Sequence, residues 1–81
     1  MVERYDDLDE VVRDQLCNWI GDNIRLRKTP NYDRTSYDLK NIFNRVTGFR
    51  VYNGAFKGAM IACGYAPVDK RKQNSCYRIK N

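Results

Sequence analysis

The side chains with chemistry to offer in this 81-residue chain are cations, amides and phenols in short groups. Lys70, Arg71 and Lys72 are consecutive, and Arg78 and Lys80 alternate with apolar neighbours just beyond them. Tyr37, Lys40 and Asn41 fall within one helical turn, Tyr52 and Asn53 are adjacent, and Lys57 stands between Gly54 and Gly58. Ammonium and guanidinium groups neutralise phosphate, and phenols and amides donate hydrogen bonds to it. The pattern therefore points to anion binding. What the chain lacks is equally informative. It has no histidine, which removes Ser-His and Cys-His catalysis and every His-containing zinc motif. Its cysteines, Cys17, Cys63 and Cys76, are odd in number, widely spaced and without a CxxC pair. That is the pattern of free thiols in a reducing compartment, not of a disulfide framework or a zinc site. No paired carboxylates and no phosphate-cradling glycine loop between a strand and a helix occur. The reading is a binding protein, not an enzyme, with no cofactor and no metal.

Charge is unevenly distributed along the chain. Residues 1–23 hold seven acidic side chains against two basic ones, whereas residues 24–81 hold thirteen basic against three acidic. A basic body implies a polyanionic partner, and double-stranded DNA is the first candidate. The acidic segment must then face away from the duplex. It stays solvated, pairs with the basic surface of a second copy in a homodimer, or meets another protein. No apolar run approaches the roughly 18–20 residues that span a bilayer, so no membrane partner is expected. The start, Met1-Val2-Glu3-Arg4-Tyr5-Asp6-Asp7, is the opposite of a secretory signal. The expected location is cytoplasmic.

Residues 1–81 read as one domain, with 1–6 and 81 as flexible ends. A first helix is predicted from about Asp7 to Asn23, opened by an Asp7–Glu10 capping box. It carries Leu8, Val11, Val12, Leu16, Trp19 and Ile20 on one side and Glu10, Arg13, Asp14 and Cys17 on the other. Ile24 to Thr35 reads as a basic loop. Ser36 is placed to cap a second helix with Leu39, Ile42, Phe43 and Val46 inward, ended by Gly48. Phe49–Tyr52 is a short extended piece. Asn53 is a good N-cap for a third helix whose inner residues are Phe56, Ala59, Met60 and Cys63, closed by Gly64. The small residues of that helix allow a neighbour or a partner to approach closely. Tyr65–Val68 and Ser75–Lys80 read as two strands of a hairpin around the polar tip Asp69–Asn74, with Pro67 confining the first to an edge. The predicted core is Leu8, Leu16, Trp19, Ile20, Leu39, Ile42, Phe43, Val46, Phe56, Met60, Tyr65, Val68 and Ile79.

This order predicts an α+β fold, a winged helix-turn-helix of three helices plus a β-hairpin wing, with Phe49–Val51 adding a third strand. Three segments carry a resemblance: Ser36-Tyr37-Asp38-Leu39-Lys40, the run Val51 to Met60, and Gly64-Tyr65-Ala66-Pro67-Val68. They resemble small phage and integrative-element proteins of Gram-positive bacteria. The run from Asn53 to Ile79 is similar to the winged-helix domain that ends viral and phage-type primase–helicases. The resemblance spans about residues 36–81 and implies a fold and a mobile-element origin, with no ATPase or primase motif to transfer an activity.

In a winged helix the third helix enters the major groove and the wing touches the backbone or minor groove. The predicted DNA contacts are therefore Lys57, Asn53 and Tyr52 on the third helix and Lys70, Arg71 and Lys72 at the wing tip. Arg78 and Lys80 join them on the last strand, and Tyr37, Lys40 and Asn41 on the second helix. A transcriptional regulator or replication accessory follows. The outward face of the third helix, Gly54, Lys57, Gly58 and Ile61, carries no Arg or Gln for bidentate base readout. The alternative is therefore a small protein-binding module that inhibits or recruits a host protein through that apolar face or the acidic first helix.

Overall fold

The computed structural model describes residues 4–80. Residues 1–3 and 81, part of the expected flexible ends, lie outside the described residues. In chain order the elements are a 3-10 turn at Tyr5–Asp7, helix α1 at Glu10–Asn23, strand β1 at Arg25–Asn31, α2 at Ser36–Thr47, α3 at Asn53–Ala62 and strand β2 at Tyr77–Lys80. The molecule is a small α+β arrangement of these three helices and one two-stranded antiparallel sheet.

The capping signals shift by a residue or more from their predicted places. α1 starts at Glu10 with Asp9 as its N-cap, because Tyr5–Asp7 closes its own turn and Leu8 separates the two. Thr35, not Ser36, caps α2. The Thr35 backbone N–H donates to Asp38 Oδ2 at 3.0 Å and the Asp38 N–H donates to Thr35 Oγ1 at 3.4 Å, a reciprocal capping box. Ser36 is fully buried, and its hydroxyl accepts the Ser75 N–H at 3.0 Å, while its own N–H donates to the Ser75 carbonyl at 2.7 Å. α3 is capped by Tyr52, and Asn53 is its first helical residue. Gly48 does end α2, in the left-handed region at φ 81°, where a side chain would be strained.

The sheet differs from the predicted hairpin. Arg25–Asn31, read as loop, is a strand, and it pairs with β2 through Arg25↔Lys80, Leu26↔Ile79 and Asn31↔Tyr77, with an irregularity between Leu26 and Asn31. Its composition is weak for a strand. Pairing with β2 overrides it, and Pro30 is tolerated because β1 is an edge. Tyr65–Val68 is not a strand; one link remains of the predicted hairpin, Val68 N–H to the Cys76 carbonyl at 2.8 Å. Pro67 has no donor to extend it. Phe49–Val51 is not a strand either, and the reason is local. The Asn44 side chain takes both backbone groups of Val51: its Oδ1 accepts the N–H at 2.9 Å and its Nδ2 donates to the carbonyl at 3.2 Å. Nothing is left at Val51 for a ladder.

The core is built on an aromatic trio. Trp19 of α1 meets Phe43 of α2 at 5.7 Å between ring centroids and Phe56 of α3 at 6.3 Å, both edge-on, a preferred geometry for aromatic pairs. Leu8, Leu16, Ile20, Leu39, Met60 and Ile79 are buried with them, as predicted. Val46 is not: it is 66% exposed. Val11, placed on the inner side of the first helix, is 64% exposed. Ile42, Tyr65 and Val68 are half-buried, and the interior instead takes Ile24, Val51, Ala55, Ala59 and Tyr77. Ile24 and Val51 lie in segments read as a loop and as an extended piece, whereas Tyr77 begins β2 inside the predicted last strand.

Burial pushes the Tyr77 phenol up to about 12, and a hydrogen bond shared with Cys17, together with burial, pushes Tyr5 up to about 12. Both values lie above the ordinary 10.0, so the protons are held more tightly in the folded chain than in the unfolded one. Their contribution to stability is fully present below pH 10 and is lost as pH rises toward 12. A tyrosinate absorbance titration followed beside circular dichroism checks this. Two phenols should ionise late and together with loss of helix; early ionisation of all phenols would contradict it.

Candidate nucleic-acid interface

The predicted contact residues come from four places: the first half of α2, the start of α3 with its cap Tyr52, the loop 69–74, and β2. Two side chains of α3 join that helix to the loop. Asn53 Nδ2 donates to the Gln73 carbonyl at 2.8 Å and to Asn74 Oδ1 at 3.2 Å. Lys57 Nζ donates to the Lys72 carbonyl at 2.9 Å. Lys57 is thus half-buried against the loop and does not project as an isolated cation. The loop itself is shaped by Asp69, whose Oδ1 accepts the Arg71 backbone N–H at 2.9 Å and Nε at 3.3 Å. Those two bonds hold the Asp69 carboxyl below its ordinary range. The Val68–Cys76 bond closes the base of the loop, so Lys70, Arg71 and Lys72 are all exposed at a constrained tip.

On the other side of Tyr52 lies a cavity of about 480 Å³ in the helix–turn–helix corner. Lys40, Asn41, Asn44 and Arg45 of α2 line it, with Gly48, Phe49, Arg50, Val51 and Tyr52 of the turn. Its lining holds three cations and, among the described residues, no carboxylate. The Asn44–Val51 bonds and Gly48 fix its wall; the Thr47 hydroxyl adds to this by donating to the Phe43 carbonyl at 2.7 Å. Lys40 Nζ lies 4.4 Å from the Tyr37 ring centroid, a cation–π contact that sets both side chains on the rim. Arg45 and Arg50 were missed by sequence reading. Arg45 lies one turn beyond the predicted contacts of α2, and Arg50 lies in a segment taken for a strand. The signal was nevertheless present: two arginines bracket Gly48, the residue that turns the chain.

The predicted residues thus divide into three groups. Lys40, Asn41 and Tyr52 meet at the corner cavity with Arg45 and Arg50, and Tyr37 is in contact with Lys40. Asn53 and Lys57 hold the loop that carries Lys70, Arg71 and Lys72. Arg78 and Lys80 stand apart, on the exposed side of β2, where the register sets Lys80 opposite Arg25. Arg25 is engaged there as a C-cap: its guanidinium donates to the Gly21 carbonyl at 2.7 Å, which suits the negative end of α1.

The outer face of α3 is partly covered by the chain itself. A Cβ at Gly58 would lie 2.7 Å from Tyr5 Cβ, so the 3-10 turn packs directly on that glycine. Tyr5 then reaches the Cys17 sulfur at 3.1 Å. The close approach that the small residues allow is taken by the protein's own turn, which carries Asp6 and Asp7. Gly58→Ala should lift the turn from α3 while leaving the helix intact, since alanine favours a helix interior by about 1 kcal/mol over glycine. The expected readouts are faster alkylation of Cys17 and a Tyr5 phenol that ionises nearer 10.0, its ordinary value. An unchanged Cys17 rate would show that the turn is not held there.

Comparison with known protein families, with curated proteins and with solved structures finds no match to this chain.

Proposed function

We propose that the protein is a winged-helix-like nucleic-acid-binding domain that holds double-stranded DNA by its phosphates. The contacts come from the α2–α3 turn, the N-terminus of α3 and the loop 69–74. One observation carries this reading. Asn53 and Lys57 tie the cationic loop to the start of α3, and Tyr52, the N-cap of the same helix, lines the cation-lined corner. The first turn of α3 adds peptide N–H groups and a positive dipole end to it. The Tyr5–Asp7 turn borders this surface, since Asp6 lines the same recess as Gly54 and Lys57.

The covered face of α3 shapes the mode of binding. With Gly58 under Tyr5, the middle of α3 is a poor candidate for deep insertion in the major groove, and its side chains offer little base readout. The reading is backbone-directed, weakly selective binding, suited to a regulator that works with a partner or to a replication accessory of a mobile element. The protein-binding alternative keeps one specific support. Arg4, Tyr5, Gly54, Ile61 and Ala62 line a shallow, largely apolar recess beside the turn, and Ile61 is 61% exposed.

The test is fluorescence anisotropy with a random-sequence duplex at two salt concentrations. Affinity that falls steeply with salt supports phosphate contact. No binding at low salt overturns the reading and makes Ile61→Glu, with capture of a protein partner, the next experiment.

A further inference from the structure

We propose that the α2–α3 corner cavity is a subsite for one unpaired nucleotide, with its phosphate between Arg45 and Arg50 and its base against Tyr52. The inference rests on the nucleic-acid reading above and extends it from duplex backbone to a single-stranded end or junction. Three observations carry it. At about 480 Å³ the cavity is larger than a phosphate alone requires and falls in the size range of small-molecule sites. Its lining combines cations with two aromatic rings, Phe49 half-buried and Tyr52 exposed. That is the combination by which single-stranded nucleic acids are held: charge on the backbone and stacking on the base. Asn41 adds an exposed amide to the lining, which both donates and accepts hydrogen bonds, as base recognition requires.

A paired base cannot use such a ring. In a duplex each base face is covered by its neighbours, so stacking on Tyr52 requires a nucleotide that is terminal or extruded. The wall is already built: Asn44 clamps Val51 through two hydrogen bonds, so little reorganisation is needed when the ligand enters.

The experiment titrates the isotope-labelled full chain separately with deoxyadenosine 5′-monophosphate and with inorganic phosphate, following amide chemical shifts. Wild-type duplex binding is measured on the same samples. The expected result is that the nucleotide perturbs Gly48 to Asn53 and binds about tenfold more tightly than phosphate, the order of a single stacked base. Tyr52→Ala should erase that advantage and leave phosphate binding, whereas Arg45→Glu with Arg50→Glu should lose both ligands. Equal affinity for the two ligands, or perturbations confined to residues outside the cavity, overturns the proposal. If duplex binding persists while the nucleotide gives no shift, the subsite falls and the DNA reading stands. If both fail, both fall.

Discussion

Charge reversal at Lys70, Arg71 and Lys72 together is expected to lower duplex affinity by about a hundredfold or more at low salt and to flatten its salt dependence by about three units of slope. The three side chains are exposed, and the loop that carries them is anchored by backbone carbonyls: Lys72 to Lys57, Gln73 to Asn53. Replacing the side chains therefore leaves the anchoring bonds in place. Among the described residues, Arg71 is the one of the three with an ion-pair partner, Asp69 at 3.3 Å, and its side chain is almost wholly solvated, so this contact contributes little to stability. Circular dichroism should be unchanged while anisotropy changes collapse. If affinity survives the triple variant, the wing-like loop is not the contact, and Arg45 and Arg50 must carry binding alone. If it drops without any change in salt slope, the effect is not phosphate neutralisation.

The largest expected loss of stability is at Phe56. It is fully buried and meets Trp19 edge-on, and Trp19 in turn meets Phe43, so a single ring is packed against all three helices' shared centre. Phe56→Ala should cost about 3–5 kcal/mol through lost burial and the cavity left behind. A domain of this length has a total stability of roughly 4–12 kcal/mol, so the variant should lose from about a quarter to all of it. Ile61→Ala, on the same helix but exposed, should fall within about 0.5 kcal/mol of the parent. Urea denaturation of the two side by side checks the difference. Similar midpoints would mean that α3 does not pack as described.

The helices were legible because their inner faces repeat with helical spacing and their ends carry the residues that close helices. Leu39 and Phe43, then Phe56 and Met60, lie on faces visible from periodicity alone, and Gly48 sits where a left-handed residue is required. Of the sheet only β2 was legible, through the alternation of buried Tyr77 and Ile79 with exposed Arg78 and Lys80; its partner strand was not. Arg25-Leu26-Arg27-Lys28 has neither alternation nor β-branched density, and its partner lies at the far end of the chain. No local signal records a pairing across that distance. The Phe49–Val51 reading failed for a different reason: a side chain, Asn44, satisfies backbone groups that a strand would have used. At the candidate site, the exposed cations were readable as residues but not as a surface. Their assembly depends on Asn53 and Lys57 reaching across to a loop some twenty residues on, which only the folded chain displays.

The pairing of β1 with β2 also bears on how the chain folds. Arg25 and Lys80 are partners, so the sheet closes a long loop that contains both α2 and α3. Loop-closure entropy sets such contacts late, whereas the helices form and dock through nearer neighbours. During synthesis β1 must wait as an unpaired edge until Tyr77 to Lys80 emerge, with Leu26 exposed on it. Arg25, Arg27 and Lys28 crowd that edge with like charge, which deters a second nascent chain from pairing there first. The basic run between α1 and α2 thus serves as a gatekeeper against aggregation before the fold is complete.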